Sequence, residues 1–177
     1  RERIADFIVS LEQGHGDLCD EIEKRAREDR VPVIRAETAA FLKTMTAAVS
    51  PKAILEVGTA VGYSALLMAQ ASSGDCIITT IEKYEKRILK ARENFRQAGM
   101  EERIILLEGD AGQILAGLTG SYDLIFMDAA KGQYIHWLPD VLRLLSPGGM
   151  LISDNVLQDN TILESRFAVE RRDRTIH

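Results

Sequence analysis

The chain has 177 residues, 46% hydrophobic and 28% charged, with a formal net charge of −5. That length allows one domain with a sizeable core, and no apolar run approaches the ~20 residues of a membrane-spanning helix. The negative balance gives no support to nucleic-acid binding by the chain as a whole, although a local basic patch stays open. Two cysteines make no disulfide framework, so the expected compartment is a reducing cytoplasm.

The first fifty residues read as helical, over 4–12, 17–28 and 36–49, with Val31-Pro32-Val33 as an extended break. These helices read either as a cover over one sheet edge or an oligomer surface, or as part of a substrate pocket. They exceed what one sheet face needs, so a homodimer is expected. His15, between Gly14 and Gly16, reads as an inert loop residue, and Cys19 sits in a charged helical stretch.

Strand candidates follow at 53–57, 76–81, 103–108, 123–127 and 150–153. Their apolar residues are continuous rather than alternating, as in strands covered on both faces. Cys76 opens one such run and reads as a buried free thiol. Helical patterns at 63–71, 83–98, 111–118 and 134–145 separate them. Gly99 has the position of a helix C-terminal cap, and Pro147-Gly148-Gly149 predicts a turn into the fifth strand. Alternation of this kind specifies an α/β fold, a doubly wound, mostly parallel sheet with right-handed crossovers. The expected organisation is a single domain over 1–177, with 1–50 a helical cover and 51–177 the sheet core. The sequence stops inside what reads as the start of a charged amphipathic helix (164–177), so further C-terminal strands are expected to be missing from it.

The chemistry gathers at the carboxyl ends of the strands. The first runs into Glu56-Val57-Gly58-Thr59-Ala60-Val61-Gly62-Tyr63-Ser64, where Gly58 and Gly62 allow a sharp turn and a close approach to a ligand. The spacing is not G-x-G-x-x-G, so the dinucleotide fingerprint is not met; a tight turn without a ligand is the plain alternative. Glu82 ends the second strand, placed to accept from ribose hydroxyls or simply solvated. Asp110, after the third, suits a helix cap or an adenine amino group, or both. Asp128 follows the fourth strand, and Asp154-Asn155 follows the fifth. Neighbouring parallel strands lie roughly 4.8 Å apart, so these two carboxylates and one amide could converge on one ion. Oxygen donors of this kind suit Mg²⁺, Mn²⁺ or Ca²⁺ better than Zn²⁺.

In order, Glu56–Ser64, Glu82, Gly109-Asp110-Ala111, Met127-Asp128-Ala129-Ala130-Lys131-Gly132-Gln133-Tyr134 and Asp154-Asn155-Val156-Leu157 resemble the metal-dependent class I O-methyltransferases that use S-adenosylmethionine. That group includes catechol and caffeoyl-coenzyme A methyltransferases. The likeness runs from about Val31 to Arg174. The stretch 128–134 and the basic segment beyond 157 carry a finer resemblance to bacterial tRNA 5-hydroxyuridine methyltransferases. The resemblance implies a Rossmann-like class I fold whose sixth and seventh strands would lie beyond residue 177. It implies an S-adenosylmethionine site lined by Glu56, Gly58, Ser64, Glu82, Asp110, Ala111 and Asp128, closed by the segment around Val33. It implies a metal, Mg²⁺ or else Mn²⁺ or Ca²⁺, held by Asp128, Asp154 and Asn155.

Lys131 would then lie near the acceptor hydroxyl, where a divalent cation would lower its pKa and suit it as a general base; the bland alternative is a surface lysine. Asp128 would serve metal and cofactor together. Tyr134 either orients substrate or simply opens the next helix. On that helix His136 reads as a partly exposed residue beside Trp137. Arg166, Arg171, Arg172 and Arg174 read as a solvated helix face or as contacts for RNA phosphates, which Arg35 could extend. The expected function is methylation of the wobble 5-hydroxyuridine in a tRNA anticodon loop, whose flexible base can be splayed into a pocket. The alternatives are a small catechol-like or CoA-linked phenolic acceptor, a dinucleotide-dependent oxidoreductase, and a non-catalytic binding module.

Overall fold

The computed structural model describes residues 14–129, 131–154 and 156. The predicted helix at 4–12, Ala130, Asn155 and the Arg166–Arg174 cluster lie outside the described residues. The elements are α1 (Asp17–Glu28), α2 (Ala36–Val49), β1 (Ala53–Val57), α3 (Tyr63–Ala71), β2 (Ile77–Glu82), α4 (Glu85–Gln97) and β3 (Ile104–Glu108). There follow α5 (Ala111–Gly117), β4 (Tyr122–Met127), a 3-10 turn (Lys131–Gln133), α6 (Tyr134–Leu144) and β5 (Leu145–Ser153).

The five strands form one parallel sheet in the order β3-β2-β1-β4-β5. Winding reverses between β1 and β4, which opens a crevice at their carboxyl ends. The continuous apolar strands are explained by two cores, one on each face. Ile54, Ile78, Leu124 and Phe126 pack with α3 and with Ile88, Ala91 and Phe95 of α4. Leu55, Val57, Ile125 and Met127 pack with Leu115 of α5 and with Val141 and Leu144 of α6. Successive strand residues point to opposite faces, so each face needs its own apolar set.

The N-terminal helices α1 and α2 both pack against α3, and Cys19, Ile22, Ala26, Ala39 and Leu42 join the core on its face of the sheet. His15 lies in the loop before α1, as expected, and is buried at 8% exposure, its backbone N–H bonded to Asp20 Oδ1. The turn at Pro147-Gly148-Gly149 does not precede β5 but lies inside it. Leu145 pairs with Tyr122 and Met150 with Leu124, so residues 146–149 bulge opposite Asp123 alone. A bulge lets the ladder resume in register. Asp123 braces that end of the sheet: its carboxylate accepts from Lys52 N at 2.8 Å, Ala53 N at 3.2 Å and Ser146 Oγ at 3.2 Å. Those backbone N–H bonds, from Lys52 foremost, hold its pKa below the ordinary value. Gly99 takes its expected place beyond α4 with φ 65°, and Cys76 is a buried free thiol.

Candidate active site

A cleft of about 1020 Å³ opens at the carboxyl ends of the strands, and Val33, Gly58, Glu82, Asp110, Ala111, Asp128 and Asp154 line it. Its floor is the turn after β1. Gly58 adopts φ 108° and Gly62 φ 84°. A Cβ built on Gly58 would lie 2.1 Å from the Asp128 carbonyl oxygen, and one on Gly62 2.4 Å from Phe95 Cε1. Both glycines are therefore demanded by close approach as well as by backbone conformation. The N–H groups of Gly58 and Thr59 both donate to Ile81 O at 3.1 Å, and Asp128 N donates to Val57 O at 3.0 Å. The turn is thus tied to β2 on one side and to the end of β4 on the other.

Glu82 is not a solvated surface acid. It is 8% exposed, and its carboxylate accepts from Ala60 N, Lys83 N and Tyr84 N, each at 2.9 Å. Three backbone donors fix the carboxylate at the cleft, leaving acceptor capacity for a ligand's hydroxyl groups. Asp110 caps α5 by accepting from Gly112 N at 3.0 Å and Gln113 N at 3.4 Å. Its other oxygen lies 3.6 Å from Lys83 Nζ. The cap role is thus realised at a residue that also faces the cleft.

Ser64 lines a recess adjoining the cleft, together with Pro32, Val33, Ile34, Gly58 and Asp128. Glu56, expected to line the cofactor site, lies behind it. Its side chain is fully buried and accepts from Ser64 Oγ and Thr80 Oγ1, both at 2.5 Å. Burial in the first place, and the neighbouring Asp128 and Glu82 carboxylates to a lesser degree, raise its pKa to about 8, against the two hydroxyl bonds. Glu56 reaches the recess through Ser64.

Asp154 N donates to Met127 O at 2.9 Å, extending the β4–β5 ladder by one residue. The two strand-end aspartates thus face one cleft from neighbouring strands. Among the described residues no group of three or more His, Cys, Asp or Glu side chains could hold a metal ion. The expected donor set needs only two carboxylates, with the amide of Asn155 as the third, and Asn155 lies outside the described residues. Two hard oxygen donors opening on one cleft fit a Mg²⁺-type ion in donor chemistry. The fit to a nucleoside cofactor rests on the Gly58 cradle, the anchored Glu82 and a volume large enough for cofactor and acceptor together.

Tyr134 opens α6, and its hydroxyl is committed to the backbone. It donates to Met127 O at 2.9 Å and accepts from Ala129 N at 3.1 Å. Burial first, then the charges of Asp128 and Asp154, push its pKa well above the ordinary value. It braces the loop that carries Asp128. Lys131 lies in the 3-10 turn between that loop and α6. His136 is exposed, as expected.

Several cleft-lining residues carried no usable sequence signal for a site role, among them Lys83, Arg87, Gln133 and Trp137. Trp137 reaches the first turn of α5, where a Cβ on Gly112 would sit 3.0 Å from its Nε1. The glycine directly after Asp110-Ala111 was the only trace of that contact. Arg87 lies 5.5 Å above the ring of Tyr84.

The O-methyltransferase family model matches residues 17–176. A catechol O-methyltransferase from Niastella koreensis is 34% identical over 128 residues, covering 70% of this chain and 58% of that protein. One from Mycobacterium tuberculosis is 30% identical over 131 residues, covering 73% and 60%. The chain thus spans about three fifths of the length of these two relatives. The SAH-bound structure of a Podospora anserina methyltransferase superposes with a TM-score of 0.87 at 28% identity, covering 98% of this chain and 77% of that one.

Proposed function

Because the chain belongs to the O-methyltransferase family, we propose that it transfers the methyl group of S-adenosylmethionine to a hydroxyl oxygen. The observation that carries this reading is Glu82, a buried carboxylate held by three backbone N–H groups in the same cleft as Asp128 and Asp154. In the proposed pose Glu82 accepts from the ribose hydroxyls, Asp110 and Ala111 flank the adenine, and Gly58, Ser64 and Val33 surround the amino-acid end.

The reaction is an in-line displacement. The acceptor oxygen forms a bond to the methyl carbon, the methyl–sulfur bond breaks, and its electron pair returns to sulfur, leaving a neutral thioether. The acceptor's proton passes to a base, and Lys131 is proposed for that role. Alignment alone contributes on the order of 7–11 kcal/mol, so the braced Asp128 loop and the anchored Glu82 are the chain's main contribution. Asp128 and Asp154, with Asn155, would hold a divalent cation, Mg²⁺ or else Mn²⁺ or Ca²⁺. When bound, such an ion supplies electrostatic stabilisation of the charge developing on the acceptor oxygen.

Two acceptors fit this chemistry, and each presents two adjacent oxygens. The names of the catechol O-methyltransferase relatives support a catechol-like phenol, with CoA-linked phenols in the same class. The 128–134 stretch and the basic segment 166–174 support the wobble 5-hydroxyuridine of tRNA. A cytoplasmic homodimer belongs to the same proposal. The test offers the full chain labelled S-adenosylmethionine and Mg²⁺, with a simple catechol in one tube and tRNA lacking the wobble methyl in the other. EDTA-sensitive label in either supports the reaction and names the acceptor. No label in both, despite SAH binding, would refute both acceptor assignments.

A further inference from the structure

The segment 31–34 passes over the small recess that Ser64, Gly58 and Asp128 line from below. It has no regular secondary structure, so something else must fix its height. Its first residue is tied back to α1, because Val31 N donates to Ala26 O at 2.8 Å. The first end of the strap therefore follows the position of α1, while its other end runs into α2.

A polar tie joins α1 to the recess wall. Tyr63, the first residue of α3 and a lining residue of the recess, is 2% exposed. Its hydroxyl donates to Glu23 Oε2 at 3.1 Å. The other oxygen of Glu23 accepts from Arg27 Nε at 3.0 Å and Nη2 at 2.6 Å, which orients the carboxylate towards the tyrosine. His15 packs edge-on against the Tyr63 ring, centroids 6.1 Å apart. Burial holds the phenol protonated far above its ordinary pKa, so it remains a donor at any working pH. Besides this bond to Glu23 and a weaker one from Gln70 Nε2 to Cys19 Sγ at 3.2 Å, α1 and α3 meet through the apolar residues of one core, and apolar packing is non-directional. A partly buried bond to a carboxylate sets distance and orientation as well as energy.

We propose that Tyr63 and Glu23 form a latch that positions the 31–34 strap over the recess and thereby sets affinity for the methyl donor. The inference rests on the donor reading given above for its ligand, but not for the latch itself. Tyr63 is a positioning residue in this scheme.

The test compares the full chain with Tyr63→Phe, Glu23→Leu, their double variant and Glu23→Gln. Amide hydrogen exchange of the ligand-free protein reads the strap, and calorimetry with SAH reads the recess. Loss of a hydrogen bond to a charged group predicts about tenfold weaker SAH binding in Tyr63→Phe and in Glu23→Leu. Exchange at Val31, whose N–H is bonded to Ala26 O, rises in both, and the double variant is no worse than either single one. Glu23→Gln keeps an acceptor for the phenol and restores binding and protection. The loss falls on the KM for S-adenosylmethionine rather than on kcat. Wild-type protection and affinity in Tyr63→Phe would overturn the latch. Failure of the wild type to bind SAH would overturn the donor reading, and the exchange comparison would still decide the latch.

Discussion

Replacing Gly58 by alanine should injure fold and site together. The added Cβ would lie 2.1 Å from the Asp128 carbonyl oxygen and 2.8 Å from its carbon, whereas ordinary contact begins at 3.4 Å. The carbonyl would have to retreat by the difference, 1.3 Å. That atom belongs to backbone, not to the far end of a flexible side chain. The retreat breaks the 3.0 Å bond from Asp128 N to Val57 O, at about 0.5–1.5 kcal/mol. Holding a non-glycine residue at φ 108° adds about 1–3 kcal/mol. The sum is about 1.5–4.5 kcal/mol, which for a domain of this size lowers Tm by about 3–18 °C. Displacing Asp128 should also cost at least about 100-fold in any methyl transfer, since misplacement by about 1 Å has that scale of effect. Thermal melts with and without SAH provide the assay. Gly74→Ala is the control, because no atom lies within 4 Å of its built Cβ. If Gly58→Ala melts with the wild type and binds SAH equally, the close approach of β1 and β4 at this turn is wrong.

Glu56 should make stability fall as pH rises. Its folded pKa of about 8 exceeds the ordinary value of 4.5, chiefly through burial, so the folded state retains a proton that the unfolded chain has lost. The contribution is complete below the unfolded value and is lost as pH climbs through the folded one. Glu56→Gln should flatten the Tm profile between about pH 5 and 8, and an unchanged slope would count against the buried proton. Tyr134→Phe removes the partner of both Met127 O and Ala129 N, at about 1–3 kcal/mol by denaturant titration; no loss of stability would show the loop needs no brace. Asp154→Ala should abolish methyl transfer while SAH affinity stays within about threefold, since Asp154 is assigned to the metal alone. Retained transfer in the presence of Mg²⁺ would remove Asp154 from the reaction centre.

The sheet was legible because the strands are apolar-rich without alternation and most run into a glycine or an acid, as at Val57-Gly58, Ile81-Glu82 and Met127-Asp128. Strand burial on both faces writes itself into a linear pattern. The cleft-facing positions of Gly58, Glu82, Asp110, Asp128 and Asp154 were legible for a related reason: a parallel sheet sends every strand's carboxyl end to one edge. What stayed hidden depends on tertiary register. Nothing local shows that Glu56 turns away behind Ser64, that the Tyr134 hydroxyl faces backbone rather than substrate, or that Trp137 reaches the first turn of α5. Those facts are fixed by how helices lie on the sheet, and a helix can rotate or slide without changing its sequence pattern. The β5 bulge escaped because Pro147-Gly148-Gly149 signals a reversal of direction equally well outside a strand or within one.

The bulge divides β5 into a start that pairs with Tyr122 and a stretch that carries the ladder to Asp154. Residues 146–149 face Asp123 alone, and pairing resumes at Met150 opposite Leu124. Four residues further on, Asp154 meets Met127 at the opposite edge, a distance of about 13 Å at the rise of a strand. A residue gained or lost within the bulge changes its girth but leaves the pairing beyond it in phase. The same insertion after Met150 would turn the following side chains to the wrong face and move Asp154 out of line with Asp128. The four-residue step from Met150 to Asp154 thus acts as a fixed ruler between the bulge and the reaction centre.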